Sequence, residues 1–262
     1  MKHIFIILLV IFTMSTAAAH SRNNRKVFKQ AVAQPAFTTE SYLIADGNGV
    51  ILHEHDSDLQ RPIASISKLM VGLLASAQDL DELLSIPARR QLQSGIPKKQ
   101  TTLTRRELLT LALVKSDNLA AQVLCDNIPN CVEEMNATAT SMGMAHTYYV
   151  EPTGLSKENV STASDLLKLM LVASSNYTIT SLSSMPNAEI PIGKSTMKIR
   201  NTNPLTGKLD VFLSKTGFTN PAGGCLIMAV NSPFGQRFMV LLGSRNAKTR
   251  IPAMEKLYKE MT

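Results

Sequence analysis

Hydrophobic residues follow a strand-like spacing in two regions of the chain and a helical spacing between them. The first strand-like region, SYLIADGNGVILHEHD, has two β-rich runs on either side of Gly47-Asn48-Gly49 and predicts a hairpin. The helical region opens at Ser65–Ala77. A leucine-rich helix follows Thr104, where Glu107 three residues later completes a capping box. The same spacing predicts helices at 118–125, 131–142 and 163–173.

The spacing changes back to that of strands from about residue 209. We predict three strands and a last helix there: LDVFLSKTG, GGCLIMAV and QRFMVLLGS, with turns at Asn220-Pro221 and Asn231–Gly235, then a helix from about Ala247 to Met261. Strands at both ends that enclose a helical block predict one α+β unit. It would be an antiparallel sheet with helices packed beside it, and a groove would lie where the two meet.

The first residues have the pattern of an export signal. Lys2 and His3 precede the apolar run Ile4–Phe12, and Ala17-Ala18-Ala19 supplies small residues for cleavage. The run is too short for a stable membrane anchor, and no later stretch is apolar for long enough to be one. We therefore predict a signal peptide at 1–19, a flexible leader at 20–40, and a domain at 41–262 that is exported to the periplasm.

The chain is basic, with 27 Lys and Arg against 20 Asp and Glu and a formal net charge of +7. A basic surface suits polyanions such as cell-wall polymers or anionic membranes, and it is equally what a merely soluble basic protein has. Nucleic acid is disfavoured as a partner. The charges are scattered in short pairs such as Lys98-Lys99, and no aromatic platform accompanies them.

The chain has three cysteines. Cys125 and Cys131 bracket a predicted turn, DNIPN, and export makes a disulfide between them chemically possible. So short a loop leaves open whether the geometry allows it. Cys225 lies in an apolar run with no base around it, so we interpret it as a small buried hydrophobic residue and not as a catalytic thiol.

The stretch RPIASISKLM contains a candidate catalytic pair, a serine nucleophile and a lysine base. On a helix Ser65 and Lys68 lie on one face, where the hydroxyl and the amine approach each other. A lysine kept neutral by burial or by a nearby cation can take the serine proton and so activate the hydroxyl as a nucleophile. Alone the spacing is a weak signal, because a solvent-facing pair near a helix start gives the same pattern. Ser67 is interpreted as a small helix residue.

Two further motifs follow in order: Ser116-Asp117-Asn118 after the capped helix, and Lys215-Thr216-Gly217 at the end of the first late strand. Together with S-x-x-K they resemble the motif set of penicillin-binding proteins and serine β-lactamases, which implies a β-lactamase/transpeptidase-like fold. Over residues 40–262 the chain is similar to the low-molecular-mass D-alanyl-D-alanine peptidases, most nearly to the endopeptidases of the penicillin-binding protein 7 type. The stretches that carry this likeness are EPTGLS, STASDL, NTNPL and SKTGFTNPAGGCL. The tail after Lys259 leaves no room for the extra β-domain of related carboxypeptidases.

The resemblance implies roles for the residues of the first two motifs, which would carry out the reaction. Ser65 would attack the carbonyl of a D-alanine residue and form an acyl-enzyme, with Lys68 as the general base. Ser116 would relay a proton toward the leaving amine. Asn118 would hold both the lysine and the substrate amide.

The third motif is expected to bind substrate. Lys215 would supply positive potential and help to keep the catalytic lysine unprotonated, and Thr216 would bind a substrate carboxylate. Gly217 would let the substrate approach the strand edge. The oxyanion hole would use the backbone N–H groups of Ser65 and Phe218. Arg245, beyond the last strand, is a weaker candidate for carboxylate binding.

Several alternatives stay open or are disfavoured at this point. A class A β-lactamase needs a deacylating glutamate in E-x-x-L-N, whereas Glu151 stands in EPTGLS and matches the peptidase pattern. A catalytically silent wall-binding protein is disfavoured by the intact motifs, and a D-alanyl-D-alanine carboxypeptidase is the nearest alternative function.

His53 and His55 share a strand face, but no third metal ligand is evident. The resemblance implies peptidoglycan stem peptides as substrates, β-lactam antibiotics as inhibitors, a part in cell shape, peripheral or no membrane contact, and no cofactor or metal.

Overall fold

A computed structural model describes residues 40–88 and 91–260. The predicted signal peptide and nearly all of the predicted leader lie outside the described residues. Residues 41–260 form one compact unit, in which the strands of both terminal regions share a sheet. Among the described residues, no helix has both the length and the apolar character needed to cross a membrane.

The central element is a five-stranded antiparallel sheet with the strand order β2-β1-β11-β10-β9. Its two outermost strands are β2 and β9. The predicted N-terminal hairpin and the three late strands are confirmed, although the turn before β11 contains only Pro233 and Phe234. The strands of the whole domain are β1 Ser41–Asp46, β2 Ile51–His55, β3 Arg61–Pro62, β4 Leu83–Ser85, β5 Thr102–Thr104, β6 Val160–Ser161, β7 Asn187–Ile192, β8 Ser195–Arg200, β9 Val211–Thr219, β10 Gly223–Ser232 and β11 Gly235–Ser244.

Helices cover both faces of the sheet. The described residues contain α1 Ser67–Ala75, α2 Arg105–Val114, α3 Asn118–Asp126, α4 Cys131–Ser141, α5 Ala163–Ser174, α6 Tyr177–Ser183 and α7 Arg250–Lys259. Helix α5 packs on β1, β9 and β11 together with the helical block, and the larger hydrophobic core lies there. A smaller core under α7 covers the other face. This arrangement confirms the predicted α+β class with an inserted helical subdomain.

Two predicted helix starts are wrong by a few residues. The α-helix begins at Ser67 and not at Ser65, because a 3-10 turn over Ala64–Ile66 precedes it. Helix α7 begins at Arg250 and not at Ala247. There the Asn246 side chain accepts the N–H of Thr249, whose hydroxyl in turn accepts the N–H of Asn246, and this closed turn delays the helix.

The sequence patterns missed several elements. The hairpin β7–β8 was not predicted, although Gly193, at its turn, has φ +58°. Helix α6 and the two-stranded pairs β3–β6 and β4–β5 were missed as well. By contrast, the capping box at Thr104 is confirmed, with the Thr104 hydroxyl accepting the N–H of Glu107 and the Glu107 carboxylate accepting that of Thr104.

The structure shows which cysteines are paired. Cys125 at the end of α3 and Cys131 at the start of α4 form a disulfide, with their Cα atoms 5.4 Å apart. Cys225 is a buried free thiol on β10, as expected. Burial raises its pKa to about 11, which fits a structural residue and not a nucleophile.

Candidate active site

Ser65 and Lys68 are in direct contact at the start of α1. The Lys68 Nζ atom donates a hydrogen bond to Ser65 Oγ over 2.7 Å. Ser65 lies in the 3-10 turn, partly exposed, and Lys68 is buried in the first turn of the helix. The predicted pairing is therefore present, but the serine stands just outside the helix. Ala64, the residue before it, has φ +48°, a left-handed conformation that turns the chain sharply at this point.

A buried side-chain network holds this turn. Ser67 Oγ donates to the carbonyl of Ala64 over 2.9 Å and accepts a hydrogen bond of 2.9 Å from Asn159 Nδ2. Our interpretation of Ser67 as only a small helix residue is therefore wrong, since its hydroxyl ties the strained turn to the neighbouring loop. The only indication of this role in the sequence was the position of Ser67 inside the S-x-x-K motif, between Ser65 and Lys68.

Two glycines allow two segments to lie against the Ser65 turn. A Cβ atom on Gly154, which has φ +78°, would lie 1.9 Å from the Ala64 carbonyl oxygen. A Cβ atom on Gly217 would lie 2.9 Å from the Ile63 oxygen and 3.0 Å from the Ser65 nitrogen. We expected Gly217 to make room for substrate. That role stays a prediction, and the structure adds a second reason: the glycine lets strand β9 pack against the turn that carries Ser65.

The loop at Gly154 also supplies a backbone acceptor to the serine–lysine pair. The carbonyl oxygen of Thr153 accepts hydrogen bonds from Ser65 Oγ, over 3.3 Å, and from Lys68 Nζ. We expected Asn118 to hold the lysine. No hydrogen bond between the two occurs among the described residues, and the Thr153 carbonyl takes that place.

Burial changes the acid–base behaviour of Lys68. Desolvation lowers its pKa to about 7, although the negative charges of Glu151 and Asp117 act in the opposite direction. Near neutral pH a large fraction of Lys68 is therefore neutral and able to accept a proton. The chief cause is burial, which is one of the two causes that we expected, the other being a nearby cation such as Lys215.

A second serine–lysine pair lies beside the first. Lys215 Nζ on β9 donates to Ser116 Oγ over 2.8 Å and to the Thr216 carbonyl over 2.9 Å. Ser116 has φ +60° and stands in the connection between α2 and α3. Burial lowers the pKa of Lys215 well below its usual range, and the charges of Lys68 and Arg250 lower it further.

Asp117 organises the surroundings of Ser116. Its carboxylate caps α3 by accepting the N–H of Ala120 over 3.0 Å. The same carboxylate accepts the hydroxyl of Ser94, at 2.8 Å, and the N–H of Gly95, at 2.7 Å. It thereby fixes an irregular loop, which sequence patterns could not place, against the second motif.

The remaining predicted residues lie on or near β9. Thr216 Oγ1 donates to Thr202 Oγ1 over 2.6 Å, and Phe218 is 42% exposed at the end of the outermost strand. Arg245 is exposed and makes no side-chain hydrogen bond to the described residues. Instead Arg250 Nη1, from α7, donates to the Gly217 carbonyl over 2.7 Å. A role for Arg245 in carboxylate binding stays a prediction.

No metal centre accompanies these residues in the part of the chain that the structure describes, where no three His, Cys, Asp or Glu side chains form a possible ligand group. His53 and His55 do share one sheet face. The ring of His55 stacks on Tyr42 with centroids 5.8 Å apart.

The fold and the site together define a class of protein, that of the β-lactamase/transpeptidase-like penicillin-binding proteins. The structure resembles penicillin-binding protein D2 of Listeria monocytogenes in its ampicillin-bound form, with a TM-score of 0.77 and 29% sequence identity. The likeness covers 86% of this chain and 98% of the other.

Sequence comparisons narrow the class to a family. Residues 28–245 match the D-alanyl-D-alanine carboxypeptidase family, peptidase S11. The chain is 37% identical to a D-alanyl-D-alanine endopeptidase of Escherichia coli, over 83% of this chain and 76% of the other. It is 41% identical to one of Pseudomonas aeruginosa, over 74% of this chain and 68% of the other. The chain therefore belongs to the S11 family of serine peptidases.

Proposed function

We propose that this protein is a serine DD-peptidase that hydrolyses the D-alanyl cross-links between peptidoglycan stem peptides. The observation that carries the proposal is the 2.7 Å contact between Ser65 Oγ and Lys68 Nζ, with the lysine buried and its pKa near 7. A neutral amine at that distance can take the serine proton as the hydroxyl attacks.

The reaction proceeds in two steps, acylation of Ser65 and hydrolysis of the resulting ester. Ser65 Oγ attacks the carbonyl carbon of a D-alanine residue while Lys68 takes its proton. The bond to the leaving amine then breaks, and the amine receives a proton from Lys68 through Ser116. A water molecule next attacks the ester, Lys68 takes a proton from it, and the proton returns to Ser65 Oγ as the acid is released.

The third motif supports this chemistry from β9. The N–H groups of Ser65 and Phe218 form the oxyanion hole, and the tight contact of Gly217 with Ser65 brings the two donors into one place. Thr216 and Lys215 bind a substrate carboxylate, with Asn118 holding the substrate amide. Because burial disfavours the ammonium form of Lys215, an incoming carboxylate would favour its protonation.

Two considerations bear on the choice between endopeptidase and carboxypeptidase: the activities for which the relatives are named, and the space that each reaction needs on the leaving-group side of the active-site groove. The relatives from Escherichia coli and Pseudomonas aeruginosa are endopeptidases by name, while the family model and a 28% identical relative from Mycobacterium tuberculosis are named as carboxypeptidases. An endopeptidase must accept a bulky stem on the leaving-group side, whereas a carboxypeptidase needs only a small pocket for one terminal residue. We favour the endopeptidase and keep the carboxypeptidase as the second candidate.

The substrate preference is tested by direct competition. Purified cross-linked muropeptide dimer and monomeric pentapeptide are supplied at equal concentration, and kcat/KM is compared. We expect the dimer to be preferred. A clear preference for pentapeptide would assign the protein to the carboxypeptidases, and rapid turnover of penicillin would assign it to the β-lactamases.

The proposed place of action is the periplasm. The pattern at residues 1–19 supports cleavage after Ala19, and a substrate in the cell wall requires export. Peptidoglycan hydrolysis there would contribute to cell shape. N-terminal sequencing of the exported protein should give His20 as its first residue, and retention of Met1 would contradict this.

A further inference from the structure

One carboxylate near the site has an unusual set of partners. Glu151 Oε2 accepts the N–H of Thr153, at 2.7 Å, and its hydroxyl, at 2.5 Å. Glu151 Oε1 accepts the N–H of Gly154, at 2.7 Å, and that of Ser156, at 3.3 Å. Four hydrogen bonds from the four-residue segment Thr153–Ser156 wrap the loop around one side chain.

This loop determines where the Thr153 carbonyl points. That carbonyl accepts the hydrogen bonds of Ser65 Oγ and Lys68 Nζ, so the nucleophile and the base share one acceptor. The loop lies directly against the turn, since a Cβ atom on Gly154 would collide with the Ala64 carbonyl. The backbone of Glu151 is fixed as well, since its carbonyl accepts a hydrogen bond of 2.8 Å from Asn159 Nδ2.

We propose that Glu151 is a positioning residue of the DD-peptidase reaction, whose carboxylate folds residues 151–156 so that the Thr153 carbonyl orients Ser65 and Lys68. This inference rests on the proposed function, in which Ser65 is acylated with Lys68 as the base. It assigns a role to a glutamate that does not itself contact either reacting side chain through a hydrogen bond.

The carboxylate has two separable effects, because it contributes both geometry and charge. A glutamine keeps one acceptor oxygen but places an NH2 group opposite donors, so the loop loses part of its hold. The negative charge of Glu151 raises the pKa of Lys68 against the effect of burial, and neutralising it lowers that pKa further. A role in loop stability alone would produce the first effect without the second.

The test is the pH dependence of acylation by penicillin, measured as the second-order rate constant for adduct formation. The wild-type rate should rise with pH as Lys68 loses its proton, through a midpoint near pH 7. For Glu151→Gln we expect a rate about 10- to 100-fold lower on the alkaline side, since a small displacement of reacting groups has that effect. Its midpoint should shift to lower pH, so the difference from wild type narrows in acid.

Two further variants separate charge from geometry. Glu151→Asp keeps the charge on a shorter side chain, so it should slow acylation while the midpoint stays in place. Glu158→Gln makes the same chemical change on an exposed side chain of the same loop, and it should alter neither the rate nor the midpoint. Thermal unfolding of each variant shows whether it is folded.

The results for these variants decide whether Glu151 has the proposed positioning role. A wild-type rate and midpoint in Glu151→Gln would overturn the proposal, and so would a slower rate with an unmoved midpoint, which would mean a structural role only. If Glu151→Gln does not fold, Glu151→Asp and Thr153→Val decide. Thr153→Val removes one of the four hydrogen bonds to Glu151, together with the bond that the Leu155 N–H donates to the Thr153 hydroxyl, and it removes no charge. Wild-type rates in both variants would refute the inference. Failure of the proposed function is distinguishable, because it would appear as an adduct on Ser65→Ala.

Discussion

The two serine–lysine pairs of the site are alike in chemistry and different in origin. Ser65 and Lys68 are three residues apart, and one turn of backbone brings them to 2.7 Å. Ser116 and Lys215 are 99 residues apart and meet at 2.8 Å only because the helical block docks on strand β9. The first pair therefore depends on local backbone conformation. The second depends on how two parts of the domain pack together.

The surroundings of the pairs differ in the same way. The first is held by backbone and short polar side chains, with the strained Ala64 turn fixed by Ser67 and approached by Gly154 and Gly217. Around the second, the Asp117 carboxylate ties the start of α3 to a separate loop. Disturbing the local pair should therefore abolish the chemistry, whereas disturbing the distant pair should weaken it.

The largest effect is expected for Lys68→Ala. Without the base, acylation by penicillin should slow by about 100- to 10,000-fold, the usual contribution of general base catalysis. The residual rate should lose its rise through pH 7, because that rise reports deprotonation of Lys68. Lys115→Ala, which removes an exposed lysine next to Ser116, serves as the control and should acylate normally. Retention of the pH dependence in Lys68→Ala would assign the base to another residue.

Gly217→Ala should have the next largest effect. Its new methyl group would lie 2.9 Å from the Ile63 oxygen and 3.0 Å from the Ser65 nitrogen, both backbone atoms, so β9 or the turn must shift. We expect acylation to slow by about 100-fold. Gly207→Ala is the matched control, since its methyl group would meet only the Pro186 side chain at 3.6 Å. Equal acylation rates in the two variants would show that the close contact at Gly217 is unimportant.

A double-mutant cycle tests whether Ser116 and Lys215 act as a unit. Each of Ser116→Ala and Lys215→Ala should slow acylation by roughly tenfold or more, since each removes one side of a partly buried hydrogen bond. The double variant should be about as slow as the slower single variant, which is the behaviour of coupled residues. If the two losses simply multiply, the contact between the residues carries no functional coupling.

The smallest effect on activity is expected for the disulfide. Replacing Cys125 and Cys131 by serine removes a bridge that lies at the far end of α3 from Ser116 and Asn118. We expect unchanged acylation and a free energy of unfolding lower by about 2 kcal/mol, the chain-entropy value for so short a loop. Denaturant unfolding measures this loss. A large loss of acylation in a folded variant would show that the bridge supports the site.

The contrast between the pairs also explains how much the sequence could predict. The capping box at Thr104 and the spacing of Ser65 and Lys68 are local, so the sequence indicates both. The sheet strands are short apolar runs bounded by turn residues, which the sequence also indicates. The hairpin β7–β8 was missed because Pro191 and its polar residues weaken the strand pattern, although Gly193-Lys194 was a usable turn signal.

Other parts of the site could not be predicted because they depend on backbone atoms or on packing. The Thr153 carbonyl that contacts both Ser65 and Lys68 has no signature in side-chain type. The packing of Gly217 against the Ser65 turn could not be predicted without the position of that turn in space. The contact of Arg250 with the Gly217 carbonyl could not be predicted without knowing where α7 begins.

The central claim is that Ser65 is the nucleophile, and intact-mass analysis after incubation with penicillin tests it most directly. The native chain should gain the mass of one penicillin molecule, and peptide mapping should place it on Ser65. Ser65→Ala should gain none while its thermal unfolding stays close to that of the native chain. A persistent adduct on folded Ser65→Ala would contradict the assignment of the nucleophile.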